Sequence, residues 1–263
     1  PSPSPNPNPN PEPNHNRNPN PSPSLSPTLN PNQARRCWAC AESPGEALPR
    51  AHRTLGPVLD PLPFDSAFPR APLACPAAAS ETALDALCER ANEYSPAAVC
   101  VFSEHVPYVK GRLDGRIPVA AVAAGFPVGD SDPAAASDAI RAAVQAGADE
   151  IDCVLEPRED EGFPGESELA MLIAMREASA GCVLKVIIET SLLDERRMRA
   201  CARMALAAGA DFVKSSTGKR GGCSDEAAEI LAFEVMRHGV TMGSKPGIKL
   251  SGGISTLSDV ERL

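Results

Sequence analysis

The sequence predicts a parallel (β/α)8 barrel, and three observations carry that expectation. Six short apolar runs recur between residues 97 and 253, helical patterns separate them, and polar residues close almost every run. Strand then helix, repeated at one period, means right-handed βαβ units around a parallel sheet. Such a sheet is either doubly wound or closed into a barrel. No GxGxxG follows the first visible strand and no early Walker-type loop appears, which counts against the doubly wound nucleotide-binding form. In a barrel the polar strand ends meet on one rim, where such folds place their chemistry.

Residues 1–34 are a Pro/Asn/Ser tract with few apolar side chains, too few to offset the entropy of ordering. This segment is expected to be a disordered tail. Residues 35–79 are rich in proline and are read as irregular. Within them Cys37-Trp38-Ala39-Cys40 lacks both the second pair of a zinc site and the preceding strand of a redox motif, so it reads as a chance pair.

The barrel is expected over residues 80–263. Ser80 is placed as an N-cap, and Leu84, Leu87, Cys88 and Ala91 form the buried stripe of the helix that follows. Strands are expected at Ala97–Phe102, Val119–Phe126, Glu150–Leu155, Val183–Thr190, Asp211–Thr217 and Gly247–Gly253. Each is continuously apolar or small until its polar end, as strands buried on both faces should be. Helices are expected at Pro133–Ala146, Ser167–Ala180, Asp194–Ala208 and Ser224–His238, the third with Met198, Cys201, Ala205 and Ala208 on one face.

The 263 residues carry a formal charge of −9. That balance gives no electrostatic reason to bind nucleic acid or an anionic membrane. No run of about 18 apolar residues exists to span a bilayer, and no secretory pattern is visible, so the chain is expected to be soluble and cytoplasmic. Nine scattered cysteines do not resemble a disulfide framework and are read mostly as small buried hydrophobes.

The lysines say more. Six of the 25 basic residues are Lys, and five of those six lie after residue 184. Arg serves wherever a solubilising charge suffices, whereas only Lys can become a neutral nucleophile at an accessible pKa. In Asp211-Phe212-Val213-Lys214-Ser215-Ser216-Thr217-Gly218-Lys219, Lys214 sits within an apolar strand, where desolvation lowers its pKa. It is read as a nucleophile that captures a carbonyl as an imine. Lys249, in Gly247-Ile248-Lys249-Leu250-Ser251-Gly252-Gly253, is similarly placed on the next strand and is read as the cation that holds Lys214 neutral. Asp152, inside the strand Glu150-Ile151-Asp152-Cys153-Val154, is read as a proton shuttle. A salt bridge across the core would use the same residues. Gly218 with Lys219, and Gly252 with Gly253, follow strands and offer backbone N–H groups and an amine to an anion, although a glycine there also serves a simple turn.

At these residues the chain resembles the deoxyribose-phosphate aldolases, class I aldolases with a (β/α)8 fold. The likeness runs through VAAVAAGFPVG (119–129), GADEIDCVL (147–155), LKVIIET (184–190), AGADFVKSSTGK (208–219) and GIKLSGGIST (247–256), and AAVCVF (97–102) also fits. It implies that Lys214 is the Schiff-base lysine, Lys249 the lysine that tunes it and Asp152 the proton relay. The implied reaction is the reversible cleavage of 2-deoxy-D-ribose 5-phosphate to D-glyceraldehyde 3-phosphate and acetaldehyde, a step of deoxyribonucleotide catabolism. No metal or organic cofactor is implied. Gly218, Lys219, Gly252 and Gly253 are implied in phosphate binding, with Lys185 lining the barrel interior and Cys100 near the substrate end. A small phosphorylated sugar is the implied partner, and a homo-oligomer stays open.

Against the family pattern the first strand is expected to be degenerate, because prolines break the region from Val58 to Cys75. The eighth strand and its phosphate loop are expected to be missing after Leu263, and Ser255 stands where many members have Arg. The alternatives are an inactive barrel serving as a scaffold and a related class I aldolase of different substrate.

Overall fold

The computed structural model describes Pro1 and residues 54–55, 80–254 and 257–263. The predicted tail, the Cys37–Cys40 pair and Ser255 lie outside the described residues. Among the described residues seven parallel strands form one sheet in chain order: β1 (Thr54–Leu55), β2 (Ala98–Phe102), β3 (Val119–Ala123), β4 (Glu150–Val154), β5 (Val183–Ile187), β6 (Phe212–Lys214) and β7 (Gly247–Lys249). Among the described residues seven helices accompany them: α1 (Glu81–Tyr94), α2 (Val106–Lys110), α3 (Pro133–Gln145), α4 (Glu166–Ala178), α5 (Glu195–Ala207), α6 (Asp225–Met242) and α7 (Leu257–Arg262). Strand following strand, each next to its predecessor, is barrel order, whereas a doubly wound sheet reverses direction. Among the described residues β1 and β7 are the two ends of the sheet. Strand β1 is a two-residue pairing, Thr54 with Ala98 and Leu55 with Val99, within the stretch read as irregular, and residues 58–75, where the degenerate first strand is expected, lie outside the described residues.

The helices begin where side-chain acceptors stand ready. Ser80 accepts from the Ala83 N–H, Asp132 from Ala134, Asp194 from Arg197 and Ser224 from Ala227, each satisfying an otherwise orphaned donor. The α1 stripe Leu84, Leu87, Cys88 and Ala91 is buried as its spacing predicts. Helix α6 runs four residues past the predicted His238 and stops at Gly243, whose φ of +64° suits a residue without a Cβ. Strand β3 ends three residues before the predicted Phe126 because the chain turns sharply at Ala124 and Gly125. A Cβ on Gly125 would stand 2.5 Å from the Gly129 carbonyl oxygen, so this turn closes only with glycine.

The sheet has two unlike faces. Val99, Val101, Val119, Ala121, Ala123, Ile151, Cys153, Leu184, Val186, Val213 and Ile248 belong to one large apolar cluster with residues of the helices. The alternate positions face the barrel interior. There Cys100, Ala120 and Val122 form a small separate apolar cluster, flanked by Phe102 and Phe126. The same face carries Val154, Ile187 and Phe212 and, set among them, the charges: Glu150 and Asp152 on β4, Lys185 on β5, Lys214 on β6 and Lys249 on β7. Side chains alternate with period two, so a continuously apolar strand with one charge displays that charge on one known face.

Candidate active site

Register brings the charges together. Asp152 is paired in register with Lys185, and Lys214 with Lys249, so Lys214 and Lys249 face each other across adjacent strands. Asp152 is fully buried and lies at the centre. Lys185 Nζ donates to its Oδ1 at 2.7 Å, Lys214 Nζ to its Oδ2 at 2.9 Å, and Lys249 Nζ to the same Oδ2 at 3.1 Å. Lys185 Nζ also donates to Glu150 Oε2. Three ammoniums and two carboxylates thus share a site shielded from water, leaving one excess positive charge.

An excess charge in a dry site is expelled as a proton. Burial lowers the Lys249 pKa to about 8, helped by the Lys214 and Lys185 ammoniums and opposed by Asp152. Burial acts on Lys214 in the same sense, but the attraction of Asp152 and its hydrogen bond outweigh it and hold Lys214 above the ordinary lysine value. This corrects the sequence reading, which placed the lowered pKa on Lys214. The physical reason is the shorter hydrogen bond of Lys214 to Oδ2. Lys249, slightly farther from that oxygen, is the ammonium that the cluster can least support. Both amines touch one oxygen, so they titrate as a pair, and a proton leaving Lys214 has a short path through Oδ2 to a neutral Lys249.

Lys185 is different. Burial opposes its charge, but Asp152 and Glu150 more than compensate and raise its pKa. The Asp152 carboxyl lies well below the usual carboxylate range, because the three ammoniums overcome its burial. Lys185 does line the interior, as the resemblance implies. Its amine is engaged by two carboxylates rather than presented to a phosphate, so it positions Asp152. Cys100 is buried on the inner face of β2, and burial together with the Asp152 charge pushes its thiol up.

The glycine segments meet at the rim. A Cβ on Gly218 would lie 3.7 Å from the Gly252 Cα, and one on Gly252 would stand 2.5 Å from Ser216 Oγ and 2.7 Å from the Gly221 carbonyl oxygen. Gly252 has φ +83°. Ser216 Oγ donates to the Ser251 carbonyl at 2.9 Å, Ser251 Oγ to the Ser216 carbonyl at 2.6 Å, and the Gly218 N–H to Ser216 Oγ at 3.0 Å. These bonds bind the loops after β6 and β7 into one ledge that carries Gly218, Lys219 and Gly252, with Gly253 exposed at its edge.

Two contributors lacked a role in the sequence reading. Glu150 sits two residues before Asp152 on the same face, and period-two alternation alone would have found it. Glu189, two residues beyond β5, has a left-handed conformation and is fully buried, and its carboxylate accepts from Thr217 Oγ1 at 2.6 Å and from the Thr217 N–H at 3.3 Å. Thr217 Oγ1 in turn accepts from the Lys219 N–H at 3.1 Å, so Glu189 fixes the turn that presents Lys219. Among the described residues no group of three or more His, Cys, Asp and Glu side chains could hold a metal, and no helix is long and apolar enough to cross a membrane.

Comparison with known proteins agrees with this geometry. A family model described as DeoC/LacD family aldolase matches residues 72–262. The deoxyribose-phosphate aldolase of Mycoplasma mobile is 36% identical over 180 residues, covering 68% of this chain and 80% of that protein. The enzyme of the same name from Listeria monocytogenes serotype 4a is 38% identical over 185 residues, covering 68% and 78%. Among solved structures, the tetrameric deoxyribose phosphate aldolase of Aeropyrum pernix superimposes with a TM-score of 0.61 at 26% identity, over 70% of this chain and 76% of that one.

Proposed function

We propose, for a chain that belongs to the DeoC/LacD family of aldolases, that Lys214 is the Schiff-base residue of a deoxyribose-phosphate aldolase. The observation that carries this reading is the convergence of Lys214 and Lys249 on Asp152 Oδ2 inside the barrel. Neutral Lys249 accepts the Lys214 proton through Oδ2, and the freed amine attacks the C1 aldehyde of open-chain 2-deoxy-D-ribose 5-phosphate. The carbinolamine loses water to an iminium. The C3 hydroxyl then gives up its proton, the C2–C3 bond breaks, and its electrons move to the iminium nitrogen, which releases D-glyceraldehyde 3-phosphate and leaves an enamine. Protonation of the enamine carbon and hydrolysis release acetaldehyde and restore Lys214. These steps use no metal and no organic cofactor.

Asp152 changes character along this path. The iminium keeps a positive charge beside Oδ2, but once C2–C3 cleavage turns it into the neutral enamine that charge is gone, so the carboxylate loses a stabilising cation and its pKa rises toward the range useful for proton transfer. The ledge of Gly218, Lys219, Gly252 and Gly253 receives the 5-phosphate, and the apolar wall of Cys100, Ala120 and Val122 lies beside the small aldehyde. A phosphorylated sugar is therefore the substrate class, and a homo-oligomer like the tetrameric relative is the expected assembly. The six cysteines among the described residues are all free thiols, four of them buried, which supports a reducing cytoplasm.

Borohydride reduction in the presence of acetaldehyde tests the reading. The expected result is one two-carbon adduct on Lys214, with loss of both adduct and cleavage in Lys214→Ala. Cleavage of deoxyribose phosphate is compared with that of fructose and sedoheptulose phosphates. Full turnover without Lys214 would refute the mechanism, and preference for another sugar would reassign the substrate.

A further inference from the structure

Arg220 follows Lys219 directly in the loop after β6. Its guanidinium reaches across the barrel mouth to Glu156, just beyond β4: Nη1 donates to Oε2 at 2.7 Å and Nη2 to Oε1 at 3.0 Å. The two side chains are 26% and 31% exposed, on the boundary between the dry interior and solvent.

Both ends of this bridge are fixed. On the Arg220 side, Ser191 Oγ donates to the Arg220 carbonyl at 3.2 Å, Ser216 Oγ to the Gly221 carbonyl at 3.2 Å, and the Cys223 N–H to the Gly252 carbonyl at 3.1 Å. On the other side Gly129 lies so close that a Cβ on it would stand 3.2 Å from Glu156 Cβ. The backbone on the Arg220 side and the Cβ of Glu156 are thus fixed, and the two bonds between the side chains complete the fork.

The two bonds to Glu156 use the two terminal nitrogens. A guanidinium has five N–H groups, so the edge formed by Nε and one Nη remains as a second fork, and forks of this kind match two phosphate oxygens. The charges at the rim give that edge a task. A phosphate dianion arriving at the ledge meets the buried Glu189 carboxylate behind Thr217 and the Glu156 carboxylate across the mouth. Lys219 alone offsets only one of these, and Arg220 supplies the second cation next to it in sequence.

Resting on the aldolase reading above, we propose that Arg220 is a further phosphate-binding residue, held end-on by Glu156 so that its Nε edge grips the substrate phosphate beside Gly218, Lys219 and Gly252. Glu156 is then a positioning residue. The ligand class is a phosphate monoester.

The test is calorimetric titration of inorganic phosphate into the full chain and into Arg220→Met, with thermal melting to check folding. Phosphate binding is expected to weaken about tenfold, the scale of one charge-assisted fork, with melting unchanged. Equal affinity in the two proteins, or no phosphate binding by either, overturns the assignment. Arg220→Lys keeps a charge against Glu156 but has no second edge. It should bind about threefold more weakly, and wild-type affinity in this variant also counts against the proposal. The aldolase reading fails separately: a missing acetaldehyde adduct on Lys214 leaves the phosphate titration readable. A normal adduct with phosphate affinity indifferent to Arg220 removes the rim assignment alone.

Discussion

Two fully buried carboxylates each hold three cations, and they behave differently. Inside the barrel Asp152 is met by Lys185, Lys214 and Lys249. On the outer layer, Glu234 of α6 is met by Arg203 through Nε at 2.8 Å and Nη2 at 2.8 Å, by Arg199 at 3.2 Å and by Arg237 at 3.0 Å. The count is the same, but the water is not. The side chains of Arg199, Arg203 and Arg237 are 29%, 49% and 48% exposed, so solvent carries their surplus charge. Arginine also keeps its proton at any accessible pH. Around Asp152 solvent is excluded and the cations are lysines, so the surplus leaves as a proton, from Lys249 near pH 8. One cluster is a fixed clamp between α5 and α6. The other is a reservoir that is one proton short of full.

Substitutions at Asp152 break the comparison most severely. Asp152→Asn leaves three buried lysines with Glu150 as their one remaining counter-charge, so Lys214 should lose its proton more readily and trap acetaldehyde at lower pH than the wild type. Turnover should nevertheless fall about 10²–10⁴-fold, the usual worth of a positioned proton-transfer group. Adduct mass against pH, measured alongside steady-state cleavage, separates the two effects. An inert aspartate clamp would leave both unchanged.

Lys249→Met comes next in size. Without Lys249 as a second cation on Oδ2 and as proton acceptor, Lys214 keeps its ammonium against Asp152, and its pKa stays above the ordinary lysine value of 10.5. In the wild type, imine formation should rise with pH through about 8 and then level. In the variant the rise should move upward by about two units or more, so trapping at pH 7.5 slows by roughly 100-fold and recovers at high pH. A profile that keeps its midpoint near 8 would show that Lys249 does not set the proton balance.

Much of this was legible in the sequence for one reason. A parallel strand buried on both faces is apolar throughout, so a charge within it stands out, and Asp152, Lys185, Lys214 and Lys249 all do. The six strands from β2 to β7 were legible on the same ground. The holder of the proton was not, because that depends on which of two amines lies nearer one oxygen, a difference of 0.2 Å between 2.9 and 3.1 Å. The Arg220–Glu156 fork joins residues 64 apart and leaves no local pattern. Strand β1 is too short, at two residues, to show a period.

Glu234→Gln is the smallest perturbation and bears on the other half of the comparison. It keeps the shape and removes the charge that three arginines share. Because those arginines are partly solvated, the loss should be about 1–2 kcal/mol rather than the several expected for a dry pair. That corresponds to a fall in Tm of a few degrees. Burial opposes ionisation of Glu234, but the hydrogen bonds from Arg203 and Arg199 and the arginine charges prevail and lower its pKa below 4.5. The wild type therefore holds its full advantage above pH 4.5 and loses it as pH falls through the lower folded value. Melting curves of the two proteins should converge in acid while the pH profile of imine formation stays the same in both. If Glu234→Gln shifted that profile, the two carboxylates would be coupled through β6 and α5, and the distinction between clamp and reservoir would fail.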